Sequence, residues 1–155
     1  MASLPQTRPS VLIALALLTA TACLAAPPPA GPADLLRQAQ VSYFVRDRDT
    51  WEVQVQGDNA RHTLIVRRVE GVLGVWCTPL AVPAEKVPAA IWRYLAELNT
   101  QSHMAHVGYT EGYFVVVTGH ELSKITPQLL KLMVTDVALV SDQLLPELKK
   151  RLATE

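Results

Sequence analysis

The sequence predicts an α+β domain: an antiparallel sheet with helices packed against it. Three observations carry this. Trp51, Val53 and Val55 alternate with Glu52, Gln54 and Gln56, the period-two signature of a strand with one wet face. Short turns at Gly57-Asp58-Asn59, Glu70-Gly71 and Glu111-Gly112 separate apolar runs by so few residues that the flanking strands must be antiparallel neighbours. Two stretches led by Pro88 and Pro127 repeat apolar residues at helical spacing. Strands cluster, and helices do not alternate with them regularly, which is the α+β pattern.

In chain order, Asp34 caps a short helix over residues 34–40 that turns Leu35 and Leu36 inward. Strands follow over residues 51–56, 62–69 and 72–78, and Pro79 and Pro83 end the third. A helix starts between Ala84 and Pro88, carries the stripe Ala90, Ile91, Tyr94, Leu95 and Leu98, and ends at Asn99. Two strands, 103–109 and 113–118, flank the Glu111-Gly112 turn. Thr126 caps a final helix and Pro127 begins it. Leu130, Met133, Val137, Val140, Leu144 and Leu148 run down one face, widened by Leu129, Leu132 and Leu145. Pro146 cannot donate to the carbonyl of residue 142, so a kink or break is expected there. The predicted order is α-β-β-β-α-β-β-α.

The amino terminus has a different character. Arg8 precedes an apolar run from Val11 to Ala26, about 16 residues and shorter than the roughly 20 that span a bilayer. The run passes through Ala20-Thr21-Ala22-Cys23, so residues 1–22 read as a secretory signal peptide. A cysteine directly after small residues resembles a bacterial lipobox, which makes Cys23 the candidate lipidation site. Ala20 stands where that motif usually has Leu, and ordinary secretion and an uncleaved anchor are the alternatives. Residues 23–33, with Pro27, Pro28, Pro29 and Pro32, favour polyproline II and read as a tether. Residues 34–155 form the domain. The expected location is outside the cytoplasm, as a membrane-anchored lipoprotein or a periplasmic protein.

The 155 residues carry 14 basic and 14 acidic side chains, a balance that argues against a nucleic-acid partner. Cys77 lies on a strand apolar on both faces, so it reads as a buried, inert thiol. His103 and His106 sit at a strand start, where positions three apart face opposite ways. His120-Glu121 begins like a zinc-protease motif but has Lys124 where the second histidine belongs. Asp47-Arg48-Asp49 with Glu52 lacks the glycine and the alternating oxygens of a calcium loop and reads as an exposed charged turn. No phosphate loop or serine-hydrolase elbow is present, and no cofactor is expected.

Four pieces of the sequence resemble the YbjN family of bacterial sensory transduction regulators. They are Trp51-Glu52-Val53, the proline-led helix ending Leu95-Ala96-Glu97-Leu98-Asn99, the hairpin at Glu111-Gly112, and the long helix into Leu145-Pro146-Glu147-Leu148. The resemblance covers roughly residues 34–152. It implies a fold like the class I type III secretion chaperones, homodimers and no catalytic motif. A signal peptide departs from those cytoplasmic chaperones and places a literal effector-chaperone role in doubt.

The expected function is therefore a non-catalytic, membrane-tethered module that binds a protein or peptide, in envelope stress or regulation. The alternatives are an enzyme with a site near Cys77 or the histidines, and a passive envelope structural protein. A helix over residues 127–152 is about 39 Å long at roughly 1.5 Å per residue, against about 17–20 Å for a typical strand. Its stripe would overhang the sheet, which makes Leu144, Leu145, Leu148 and Leu152 the candidate self-association surface of a homodimer. A back-folded C-terminal turn or the N-terminal helix would cover the same leucines from within.

Overall fold

The computed structural model describes residues 31–101 and 104–153. The signal segment, Cys23, most of the tether and His103 lie outside the described residues. Helix α1 (Pro32–Gln38) leads into strands β1 (Phe44–Asp47), β2 (Thr50–Gln56), β3 (Arg61–Val69) and β4 (Val72–Ala81). After a 3-10 turn come α2 (Ala89–Gln101), β5 (His106–Thr110), β6 (Tyr113–Glu121), a second 3-10 turn and α3 (Pro127–Ala153). The six strands form one antiparallel sheet in the order β1-β2-β3-β4-β6-β5.

The α+β class and the antiparallel sheet are as expected, with four local corrections. A strand, β1, precedes the expected first strand. All four of its residues are exposed and half are charged, so it has no buried face to generate a period-two pattern. It is an edge strand, joined to β2 through the Arg48-Asp49 turn, where Asp47 Oδ1 accepts the Asp49 N–H at 2.8 Å. Second, Pro79 does not end β4. The register slips between Cys77 and Leu80, and the bulge absorbs a proline that a regular central strand would reject. Third, α1 begins at Pro32, and Asp34 sits in its first turn with a 3.0 Å ion pair to Arg37 rather than capping it. Fourth, α3 runs unbroken through Pro146, whose side is exposed.

One face of the sheet is dry. Trp51, Val53, Leu64, Val66, Leu73, Val75, Cys77, Phe114 and Val116 alternate out of their strands into a core shared with Leu35, Leu36, Ile91 and Leu95 and with the stripe of α3. The two glutamate–glycine hairpins make this register possible. Glu70 and Gly71 have φ of 46° and 83°, Glu111 and Gly112 of 51° and 86°. Positive φ at both central positions is the turn whose twist matches a β-hairpin. Thr126 Oγ1 accepts the Leu129 N–H at 3.1 Å and caps α3 as expected.

The overhang is not observed, and the predicted self-association surface is corrected. Leu144 and Leu148 are completely buried, Leu145 is 9% exposed, and Leu152 packs against the same core. The sheet is longer than assumed: β4 has 10 residues and β6 has 9, or about 30–34 Å at roughly 3.4 Å per residue. Helix α2 meets the end of α3 from the side, with the Arg151 guanidinium 4.3 Å from the Tyr94 ring centre. The leucines are thus covered from within the domain. Leu148→Glu should cost about 3–5 kcal/mol of folding stability by placing a charge in this core. Urea denaturation checks it; a folded variant of unchanged stability would contradict this placement.

Candidate protein-binding face

Among the described residues, the other face of the sheet carries no helix. The registers align Phe44, Glu52, Ile65, Trp76, Val117 and His106 in one row across all six strands. Opposed residues on antiparallel strands share a face, so this row is continuous. Phe44 is 66% exposed and Val117 39%, with Ile65 and Trp76 half-buried. Trp76, Thr78, Thr110, Glu111, Tyr113, Val115 and Val117 surround a shallow hollow of about 350 Å³. Beside it the polar part of the row is internally satisfied. Gln54 Nε2 donates to Glu52 Oε1 at 2.6 Å, and Arg46 Nε to Glu52 Oε2 at 2.6 Å. These bonds hold the Glu52 carboxyl below its usual range and occupy the oxygens that a calcium loop would have used.

The two sheet edges differ. Asn99 receives the Val107 N–H on its side-chain oxygen at 2.6 Å and donates its amide to the Val107 carbonyl at 2.8 Å. It closes the β5 edge as a neighbouring strand would. The β1 edge has no such cover among the described residues, and Phe44 and Val45 stand exposed on it.

Behind this outer face lies a polar cluster that sequence reasoning missed. Asp142, 6% exposed, projects from the apolar side of α3 onto the β2–β3 turn. Its Oδ2 accepts the Asp58 N–H at 3.0 Å, and its Oδ1 accepts the Ala60 N–H at 3.0 Å and the Asn59 N–H at 3.1 Å. The buried His62 donates its Nε2 hydrogen to Oδ1 at 2.9 Å. The His62 bond first, and then the three backbone donors, bring the Asp142 pKa down to about 2 against an ordinary 3.8. Asn59 Nδ2 also reaches the Asp142 main-chain carbonyl at 3.1 Å. Pro146 leaves that carbonyl without its helical donor, so the asparagine fills the vacancy. A Cβ added at Gly57 would lie 2.2 Å from Asp142 Oδ1, so only glycine admits the carboxylate.

This arrangement orients and seals, and it does not expose a reactive group. Every lone-pair direction of Asp142 points at a donor, and His62 spends its Nε2 hydrogen on the carboxylate. Cys77, 3% exposed, has its thiol pKa raised chiefly by burial. That is the opposite of an activated nucleophile. His106 and His120 are exposed and on different strands. Among the described residues no three His, Cys, Asp or Glu side chains group as metal ligands, and no helix is long and apolar enough to cross a membrane.

The architecture defined by this sheet and its one-sided helices is that of the type III secretion chaperones. The heterodimeric complex ExoU–SpcU from the type III secretion system of Pseudomonas aeruginosa matches with a TM-score of 0.56 at 15% identity, over 75% of this chain and 96% of that chain. The HopA1–SchA chaperone–effector complex matches at 0.53 and 15%, over 73% and 88%. YbjN from E. coli matches at 0.55 and 12%, over 77% and 89%. The model of the YbjN family, described as "Putative bacterial sensory transduction regulator", covers residues 33–150, and the chain belongs to that family. No curated protein matches the sequence significantly.

Two outcomes check the core chemistry. The folded Asp142 pKa is depressed, so the clasp contributes its stability above about pH 4 and loses it as pH falls toward about 2. Urea unfolding of wild type and Asp142→Asn should differ at neutral pH and converge on acidification; a gap independent of pH would refute the clasp. Gly57→Ala should cost about 1–3 kcal/mol through overpacking. Separately, thiol reagents should modify Cys77 slowly in the native protein and rapidly in urea, measured by mass spectrometry.

Proposed function

We propose that the chain is a non-catalytic binding domain that takes a protein or peptide partner on the outer sheet face. One observation carries this reading: Ile65, Trp76 and Val117 stand side by side across β3, β4 and β6 on the outer face, with a hollow beside them, left uncovered by every described helix. Exposed apolar area of this kind costs about 25 cal/mol per Å² in water and is recovered when a partner covers it. The solved complexes above, in which chains of this fold are held with another protein, support it. So does the family description as a regulator of sensory transduction. The signal-like leader and Cys23 support export and a lipid anchor, with the domain acting at the envelope side of a membrane.

A photo-crosslinking residue placed at Trp76 or Val117 in the exported full chain should trap a discrete adduct in cells, and one at Lys131 on α3 should not. The adduct's mass distinguishes a second copy of this chain from a different protein. Equal trapping at all three positions would remove the outer face from consideration. With the partner in hand, Trp76→Ala should weaken binding by roughly 2 kcal/mol, about thirtyfold, as central aromatic anchors do.

A further inference from the structure

We infer that the hollow beside Trp76 receives an arginine side chain of the partner, an assignment that rests on the outer-face reading above and adds the chemistry of the docking segment.

Strand alternation gathers the walls. Trp76 and Thr78 from β4 and Tyr113 and Val117 from β6 project onto the outer face, and the β5–β6 turn adds Glu111. The six-membered ring of Trp76 leans over Gly74, where an added Cβ would lie 3.5 Å from Cζ3. Tyr113, 48% exposed, stands at the other end of the hollow's lining. Two aromatic rings thus border a space of about 350 Å³. Sites for whole ligands run from roughly 300 to 1,000 Å³, so this one suits a single long side chain.

Charge decides which side chain. Glu111 is the one formally charged residue in the lining, and no lysine or arginine borders the hollow. Among the described residues Glu111 makes no ion pair, whereas Glu52, Glu121 and Glu147 pair with Arg46, Lys124 and Arg151. A carboxylate therefore sits beside the faces of two aromatic rings, whose quadrupoles also attract cations. An aliphatic occupant would cover Val117 but leave Glu111 facing apolar atoms without a counter-charge. An acidic occupant would be repelled. A lysine answers the charge as a point. The planar guanidinium of arginine stacks on a ring and donates two parallel hydrogen bonds to a carboxylate. Ile65, Trp76 and Val117 adjoin the hollow, so the arginine has apolar neighbours in the partner's sequence.

The test uses the full chain in detergent micelles and two fluorescein-labelled probes, the peptide Leu-Ala-Arg-Ala-Leu and its counterpart with neutral citrulline in place of arginine. Fluorescence polarisation should give about tenfold tighter binding of the arginine peptide. Glu111→Gln should remove the difference with an unchanged melting temperature, and Trp76→Leu should weaken the arginine peptide more than the citrulline one. Equal affinities on the wild-type chain, or no binding of either peptide, overturn the arginine assignment and leave the outer face to be judged by crosslinking at Trp76 and Val117. A preference that survives Glu111→Gln places the cation elsewhere and overturns the assignment as well. So does a crosslinked adduct at Val117 that has the mass of two copies of this chain and persists in Glu111→Gln. Absence of any adduct at Trp76 and Val117 removes the outer face, and the arginine assignment with it.

Discussion

Beyond the apolar core, the long helix is tied to the sheet through a single carboxylate. Asp142 is the one acidic side chain buried in the apolar face of α3, and it binds a turn more than 80 residues earlier in the chain. A buried charge is costly unless donors surround it. Here three backbone N–H groups, the Asn59 amide and His62 supply them. The same contact pins the middle of α3 to the β2–β3 turn at one end of the sheet. Gly57 and Pro146 are parts of the same device. One makes room for the carboxylate, and the other frees the carbonyl that Asn59 takes.

This arrangement separates the packed side of the sheet from its open side. All the described helices lie on the dry side of the sheet, and the contact of Asp142 with the β2–β3 turn lies there as well. The outer face carries Trp76, Val117 and Tyr113 without their being needed to hold the fold together. Substitutions on that face therefore come at small cost to folding. The long strands also explain why the stripe of α3 needs no second subunit: Leu144 and Leu148 find cover within the chain.

Much of this was legible in the sequence. Period-two alternation located β2, and glutamate–glycine pairs located both tight hairpins. Thr126-Pro127 located the start of α3, and the two-faced apolar strand located the buried Cys77. Strand β1 was not legible, because an edge strand wet on both faces has no periodicity to read. The length of β4 was missed because a bulge after Cys77 tolerates Pro79. His62 and Asn59 were invisible, since their role depends on a contact with a helix far along the chain. A signal for the clasp did exist. Pro146 orphans the carbonyl of residue 142, and a buried orphan acceptor demands a donor from elsewhere. That reasoning predicts a partner for Asp142 without saying which residue provides it.

The span of the clasp bears on the order in which the molecule is made. A chain synthesised from its amino terminus has all six strands available before Asp142 exists. Until α3 arrives, the sheet would present two apolar faces to its surroundings, and the turn over Gly57 to Ala60 would hold its N–H groups toward an absent acceptor. Contacts so distant in sequence form slowly. The interval before the last helix docks is thus when the nascent chain is most exposed to aggregation, and a holdase would do most for it then.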